Sequence, residues 1–541
     1  MTALKLIVIL FLLQLSIFCF VTFRPYTITP PGHTYTQFSK NYFFPIFFYP
    51  NMILQAKDGA WGIKDTHTTA PQNWLQGQWF FVTTGKLAAL FHMSPTMMYF
   101  LSQIAGAGTL FAVTYILITR FLPKSVHYLA TLFALTLELG PFPNYFGQFT
   151  NLSSWTPAIN DFILLFRHFD LAHHVWAEAA GFASVILVMK AYYKPSALSL
   201  LGIFVTTCIS IWCVPSIVVT LWLLPYPVFL VWALITGKIK NSFLPIVTAF
   251  AAAAISGIQT EIAFSQAGSP WSHYTLNEKF WVTNGTIIQQ YLTSLLLYLP
   301  FLLLFFIVLP FVWNHWSSRL RLTVILLIAW VLTPFIGIPL STLSFFPVAN
   351  FRIIIAPMYI SAGILSAIGL SEALHFLPWE KARKTILVVV VGITIGFSML
   401  LTYVYLHSFI LYQNDMNPHA YPVTSTWDGM QFLRTIPQNS GIMVREFFGE
   451  MLPGFANVRV YIGGTHGFPD WIQRRANTIS FFSGTMTEAE AKQFLTSSDI
   501  SYVFYGPDEQ AVTTKSPFYP NVLKPVFQTA TVTIFSFKTT Q

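Results

Sequence analysis

LKLIVILFLLQLSIFCFVTF, residues 4–23, decides the kind of fold. Lys5 is its one charge. The run is longer than the roughly 7–15 apolar residues of a secretory signal, and no A-x-A-like site follows it, so it reads as an uncleaved first helix crossing a bilayer. The rest of the chain agrees. Soluble proteins carry about a quarter charged residues. This chain of 541 residues carries 9%, with 54% hydrophobic residues, 17% aromatic residues and a mean hydropathy of +0.59. Further apolar runs fall at 96–119, 125–142, 172–193, 197–214, 217–236, 242–262, 288–313, 322–340, 353–377 and 385–406, eleven with the first. Each is near the roughly 20 residues that a crossing needs. Pro215, Pro225 and Pro227 interrupt the 197–236 pair. Membrane helices tolerate such breaks where neighbours re-satisfy the backbone.

Charge orients these runs. With the N-terminus inside, the inner connections hold Lys5, Arg120, Lys124, Lys190, Lys194, Lys238, Lys240, Arg319, Arg321, Lys381, Arg383 and Lys384, with Glu380 as the one inner acid. This is the positive-inside pattern. The net charge of +9 therefore argues for membrane lipids, not nucleic acid, as the partner. Cys19, Cys208 and Cys213 lie inside apolar runs and form neither a disulfide framework nor a zinc spacing. Long segments at about 24–95, 143–171, 263–287 and 407–541 then face the outer side, and Asp58, Asp65, Asp161, Asp170, Glu178, Glu261 and Glu278 lie in or beside the first three.

Two domains are expected, a transmembrane domain at 1–406 and an extracytoplasmic α/β domain at 407–541. The fold class is mainly α, a polytopic helix bundle. In the tail, GIMVREFF (441–448), VRVYIGG (458–464) and ISYVFYGP (500–507) read as strands, STWDGMQFLRTI (425–436) and MTEAEAKQFLTSS (486–498) as helices, and VFQTATVTIFSFK (526–538) as a closing hairpin.

The polar stretch LQAKDGAWGIKDTHTTAPQNW, residues 54–74, concentrates Asp58, Asp65 and His67 just after the first apolar run. A loop carboxylate such as Asp58 serves as a general base, or helps hold a divalent metal ion through oxygen ligands. Asp-Gly is equally a turn signal. In the second outer segment, Asp161, Arg167, His168, Asp170, His173, His174 and Glu178 crowd the mouth of one span, with His174 and Glu178 on one helical face. Ionisable residues in such a place are functional hypotheses by default. No metal-ligand order such as HExxH is present. Arg352, at the outer end of an apolar helix, either snorkels or holds a lipid phosphate with its planar guanidinium. Lys279, beside His273 and Glu278, is a second candidate for that phosphate.

An apolar first helix, a long outer segment with an early acid, some ten further spans and an outward C-terminal domain resemble the GT-C superfamily, integral membrane glycosyltransferases that use polyprenyl-phosphate sugars. YPNMILQAKDGAWGIKDTHTTAPQ (49–72), GKLAALFHMSP (85–95), RVYIGG (459–464) and YVFYGPDE (502–509) resemble segments of bacterial membrane proteins of that type. The resemblance implies Asp58 as the first-loop acid, activating the acceptor hydroxyl or helping to bind a metal, and Asp161 or Asp170 as a second-loop acid. It implies Arg352 as the lipid-phosphate ligand. Asp58-Gly59 replaces the paired Asp-Glu of several branches, which counts against a protein mannosyltransferase. The tail lacks a WWD-like motif, which counts against an oligosaccharyltransferase.

The implied reaction moves a sugar from a lipid-linked donor to a glycan, lipid or protein acceptor at the outer face of a bacterial cytoplasmic membrane. Trp61, Trp74 and Trp79 are candidates for stacking on the sugar, and Asp65, His67, His168 and His173 for other substrate contacts. Two rival classes are a flippase for a lipid-linked glycan and a non-catalytic assembly protein. Many transporters carry internal repeats, and no self-similar halves are found here. Reporter fusions at residues 122, 192, 239, 318 and 382 are expected to report cytoplasm, and one at 415 the outer face. A cytoplasmic report from 415 would contradict the shared outer face.

Overall fold

The computed structural model describes residues 2–36, 45–136, 171–267, 284–296, 298–343, 348–414, 420–463, 470–514 and 519–537. Helices dominate. They are α1 (Ala3–Ile28), α2 (Pro45–Lys57), α3 (Trp79–Leu90), α4 (Pro95–Phe121), α5 (His127–Thr136), α6 (Ala172–Tyr193), α7 (Ala197–Cys213), α8 (Pro215–Trp222), α9 (Pro225–Ile235), α10 (Ile239–Ala267), α11 (Asn284–Leu295), α12 (Leu299–Val312), α13 (Ser318–Leu340), α14 (Ala356–His375) and α15 (Glu380–Asn414). Among the described residues, eight helical stretches are long and apolar enough to cross a membrane, with α8 and α9 forming one of them. The predicted runs at 197–214 and 288–313 fall on shorter helices, and the described part of the run at 125–142 is α5. The chain is an integral membrane protein. Helices α2 and α3 lie inside the segment at 24–95, where the sequence suggested only loop.

The chain divides into two compact units. The first comprises Met1–Val21, Leu101–Gln259 and Glu278–Ile410. Its helices pack through small residues and internal hydrogen bonds, as apolar surroundings demand. Ser210 Oγ donates to the Ala177 carbonyl at 2.7 Å, and the Ser184 and Thr207 hydroxyls pair at 2.7 Å, joining α6 to α7. Gln14 Nε2 donates to the Leu135 carbonyl at 2.7 Å and Trp330 Nε1 to the Leu221 carbonyl at 3.1 Å. Helix α14 is buried over most of its length. A Cβ on Gly363 would lie 2.6 Å from the Phe133 carbonyl oxygen, so only glycine lets α14 approach α5 this closely.

The second unit comprises Thr22–Phe100, Thr260–Asn277 and Leu411–Gln541. Its sheet has the order β2-β1-β3-β5-β4, built from β1 (Gly441–Met443), β2 (Arg459–Val460), β3 (Tyr502–Tyr505), β4 (Leu523–Gln528) and β5 (Thr533–Phe537). β1 pairs in parallel with β2 and β3, while β3–β5 and β5–β4 are antiparallel. The expected closing hairpin is β4–β5. The parallel pairs need helical crossovers, supplied by α16 (Glu446–Phe455) between β1 and β2, and by α17 (Trp471–Phe482) and α18 (Glu488–Ser497) between β2 and β3. Thr487 caps α18 through a full capping box with Glu490. The segment read as a strand to residue 448 stops at Met443. Its continuation has helical spacing, burying Phe448, Met451 and Leu452, and the Arg445 N–H that would extend the strand is taken by Glu509 Oε1 at 2.8 Å.

Candidate functional site

The stretch around Asp58 begins as the end of α2, not as a loop. The Gly59 N–H donates to the Ala56 carbonyl at 3.2 Å and the Ala60 N–H to the Gln55 carbonyl at 3.1 Å. This pair of bonds is a Schellman closure, which needs a left-handed residue after the cap. Gly59, at φ +118°, supplies it. Asp58 is therefore the C-cap residue of α2. Its side chain is exposed, and Oδ2 accepts a hydrogen bond at 3.2 Å from Nδ2 of Asn457, a residue of the tail. The turn reading of Asp58-Gly59 is right for the backbone, and the carboxylate is left exposed.

Three amide side chains shape the segment after Gly59. Asn51 Oδ1 accepts from Gln55 Nε2 at 2.8 Å and from the Thr66 hydroxyl at 2.6 Å, and Asn51 Nδ2 donates to the Pro453 carbonyl at 2.6 Å. Gln55 bonds both backbone groups of Lys64, at 2.8 and 2.9 Å, and Gln72 does the same for Asp65, at 2.8 and 2.7 Å. So held, the segment lies along the edge of β2. Val460 N–H donates to the Thr66 carbonyl at 2.9 Å and Gly463 N–H to the His67 carbonyl at 3.1 Å. Arg459 Nη1 reaches the Thr69 carbonyl at 3.3 Å.

Asp65 is fully buried. Its Oδ1 accepts the His67 N–H at 2.9 Å, while Oδ2 has no hydrogen-bond partner among the described residues. The His67 ring places Nδ1 3.6 Å from Asp65 Oδ1 and donates from Nε2 to the Glu450 carbonyl at 3.1 Å. Burial pushes the Glu450 carboxyl up to about 7; Glu446 adds to the rise and His67 opposes it. Glu509, fully buried, also rises to about 7 by desolvation, against the backbone donors Arg445 and Gly506. The tryptophans differ in setting. Trp61 is exposed under Lys86, whose Nζ lies 4.7 Å from the ring centroid and donates to the Gly59 carbonyl at 2.8 Å. Lys64 lies 4.9 Å over Trp74, and Trp79 is half-buried at the start of α3.

A second grouping lies in the first unit, at the N-terminal ends of α6 and α14. Arg352 Nη1 is 3.5 Å from His174 Nε2. The rings of His173 and His174 meet edge to face at 4.5 Å, and His173 is buried. Glu178, one turn further along α6, accepts the Ala356 N–H at 3.2 Å and so caps α14. Asn350, just before Arg352, donates to Asn284 Oδ1 at 2.7 Å. The structure thus brings together Arg352, His173, His174 and Glu178 in one place, and Asp65 and His67 in another. Asp161, His168, Asp170 and Lys279 lie outside the described residues. Among the described residues no group of three or more His, Cys, Asp or Glu side chains is arranged to hold a metal ion. Sequence reading missed Asn457 and Glu450, whose partners lie 399 and 383 residues away.

No protein-family model and no curated protein matches the sequence. Solved structures match the fold. ArnT from Cupriavidus metallidurans bound to undecaprenyl phosphate aligns over 97% of this chain and 97% of its own, at 11% identity and a TM-score of 0.50. Its apo state aligns over 99% and 98%, at 10% identity and a TM-score of 0.50. The oligosaccharyltransferase of Archaeoglobus fulgidus in the apo form aligns over 97% of this chain and 73% of its own, at 13% identity and a TM-score of 0.48. The chain has the GT-C fold, as ArnT does.

The raised carboxyls generate a pH prediction. An acid whose folded value stands above its unfolded one gives stability that is present below the unfolded value and lost as pH rises through the folded one. For Glu450 and Glu509 that window runs from about 4.5 to about 7. The melting temperature of the detergent-solubilised chain is expected to fall across it. Glu450→Gln is expected to shrink the fall, leaving the share of Glu509. An unaltered pH slope in the variant would contradict the burial argument.

Proposed function

We propose that this chain is a membrane glycosyltransferase that moves a sugar from a polyprenyl-phosphate-linked donor to an acceptor on the extracytoplasmic face. The observation that carries the reading is Arg352, half-buried beside His174 at the start of α6, in a GT-C fold. A guanidinium at the mouth of membrane helices suits a lipid phosphate, because its planar fork binds phosphate oxygens in pairs and stays charged at every relevant pH. Glu178 accepts the Ala356 N–H at the N-terminus of α14 in the same grouping. The ArnT structure with undecaprenyl phosphate supports a lipid-phosphate donor by analogy of fold.

Asp58 takes the base role. Its exposed carboxylate receives the proton of the acceptor hydroxyl, whose oxygen then attacks the anomeric carbon of the sugar. The bond from that carbon to the phosphate oxygen breaks, and the lipid phosphate leaves with its charge met by Arg352. One displacement inverts the anomeric centre. Trp61, Trp74 and Trp79 offer flat faces for the sugar, and Asp65 and His67 shape the acceptor side. The open second-loop assignments, Asp161, His168 and Asp170, and Lys279 as an auxiliary phosphate ligand, belong to the same reading. Asp58 is the residue that would help to hold a divalent metal ion through its carboxylate oxygens. The N-terminus lies inside, and the membrane is the bacterial cytoplasmic one. Residues 1–406 make up the transferase domain and 407–541 the outer α/β domain.

Two variants separate chemistry from binding. Asp58→Asn keeps shape and hydrogen bonding but accepts no proton at neutral pH, so turnover should fall by about 10²–10⁴-fold with donor binding intact. Arg352→Ala should weaken donor binding by about 1.5–3 kcal/mol, the worth of a charge-assisted contact. Turnover above about a tenth of wild type in Asp58→Asn would remove its base role and move the assignment to Asp161 or Asp170.

A further inference from the structure

Among the described residues the Asp58 carboxylate has one hydrogen-bond partner, and the tail supplies it. Two lysines stand close by. Lys57 precedes Asp58 in the chain, and Lys86 reaches the residue that follows it. Both ammonium groups are turned to backbone carbonyls. Lys57 Nζ donates to the Met93 carbonyl at 2.8 Å, and Lys86 Nζ to the Gly59 carbonyl at 2.8 Å. The contact that Asp58 makes is with a neutral amide, Asn457 Nδ2 at 3.2 Å from Oδ2.

Asn457 stands at the joint between α16 and β2, and backbone bonds hold the joint on both sides. The Ala456 N–H donates to the Leu452 carbonyl at 2.9 Å and closes α16. The Val458 N–H donates to the Ala456 carbonyl at 2.7 Å, and the Asn457 carbonyl accepts the Asn439 N–H at 2.8 Å. The neighbours Ala456 and Val458 are both buried. One residue further on, the Arg459 N–H donates to the Ser440 carbonyl at 2.9 Å, where β2 joins β1. The direction of the side chain is also defined. Its Oδ1 is buried and has no hydrogen-bond partner among the described residues. A buried carbonyl oxygen without a donor costs free energy and calls for an explanation. Turning the amide over would set Oδ1 against the Asp58 carboxylate, acceptor facing acceptor. The amide thus keeps the orientation that serves Asp58, while its own oxygen goes without a donor.

We infer that Asn457 is a positioning residue for the Asp58 carboxylate, through which the tail takes part in the reacting centre. This rests on the transferase reading. A carboxylate on the exposed end of a helix turns about its own side-chain bonds. A fixed donor on Oδ2 removes that freedom and leaves Oδ1 to receive the proton of the acceptor hydroxyl. Such orientation is worth much to a rate, because a small misplacement of a reacting group is costly. The neutrality of the donor suits the task. A cation in the same place would oppose protonation of the carboxylate more strongly, whereas an amide orients it without bringing a charge.

Two measurements on the full chain, reconstituted in membranes, test this. The first is carbodiimide coupling of Asp58 to an amine, read by peptide mass spectrometry with exposed Asp428 as the internal reference. Asn457→Leu keeps the shape and removes the donor. Coupling at Asp58 is expected to rise several-fold in it, with Asp428 unchanged. The second is transfer from a radiolabelled polyprenyl-phosphate sugar. Asn457→Leu is expected to lower kcat by about tenfold or more, with the KM for the donor unchanged. Asn457→Gln, which keeps the amide on a longer stem, is expected to recover part of the loss. In the Asp58→Asn background the same Asn457→Leu change is expected to add no further loss. Melting temperatures identify a variant that fails to fold, and Asn457→Ala then takes the place of Asn457→Leu with the same expectations. Unaltered coupling at Asp58, or an equal loss of kcat in the Asp58→Asn background, would overturn the inference. Coupling does not depend on turnover, so the two failures are distinguishable. Wild-type protein whose Asp58 responds to Asn457 but that transfers no sugar overturns the transferase reading, and the catalytic sense of the contact with it. Coupling indifferent to Asn457, in protein that does transfer sugar, overturns the positioning role alone.

Discussion

The second unit depends on one backbone contact, the laying of residues 66–67 along the outer edge of β2. An open strand edge offers unpaired N–H and C=O groups. Here the Val460 and Gly463 N–H groups are met by carbonyls of Thr66 and His67. Much of the polar chemistry at residues 51–72 serves that contact or results from it. Asn51, Gln55 and Gln72 hold the approach, Asp65 and His67 are buried by it, and Asp58 is brought within hydrogen-bonding distance of Asn457. The tail is therefore more than an appendage. It supplies the surface on which the acid-bearing segment takes its shape.

In the first unit the governing constraint is the scarcity of charge. With 9% charged residues in the whole chain, a half-buried guanidinium beside two imidazoles and a carboxylate is a costly arrangement in apolar surroundings. Glu178 meets part of that cost by capping α14. The same economy suits the hydroxyls and amides that join helices deeper in the bundle.

The legible part of the sequence was local. The run at 4–23 and the apolar runs after it announced the membrane helices, because length and hydropathy act within one segment. Thr487 followed by Glu490 announced a helix start that the structure realises as a capping box. The closing hairpin and the strands β1 to β3 carried β-branched and aromatic runs between turn residues. Less legible was α16, whose opening residues come after a strand without a break in hydrophobicity. Pairings such as Asp58 with Asn457, or His67 with Glu450, are set by tertiary packing across nearly 400 residues, and no local pattern encodes them. Arg352 and the His173–His174 pair were each suspicious as isolated charges near apolar helices. Only the fold brings Arg352 to 3.5 Å from His174.

Sugar transfer from a lipid phosphate is the central claim. Its direct test is incubation of the purified, reconstituted chain with radiolabelled polyprenyl-phosphate sugars and a membrane extract as the acceptor pool, with and without a chelator. Label is expected to move from the lipid-phosphate fraction to acceptor, free polyprenyl phosphate to appear in equal amount, and the new linkage to have the inverted anomeric configuration. The chelator arm shows whether a metal ion takes part. Label that stays on the donor throughout, in protein that binds the donor and remains folded, would contradict the claim.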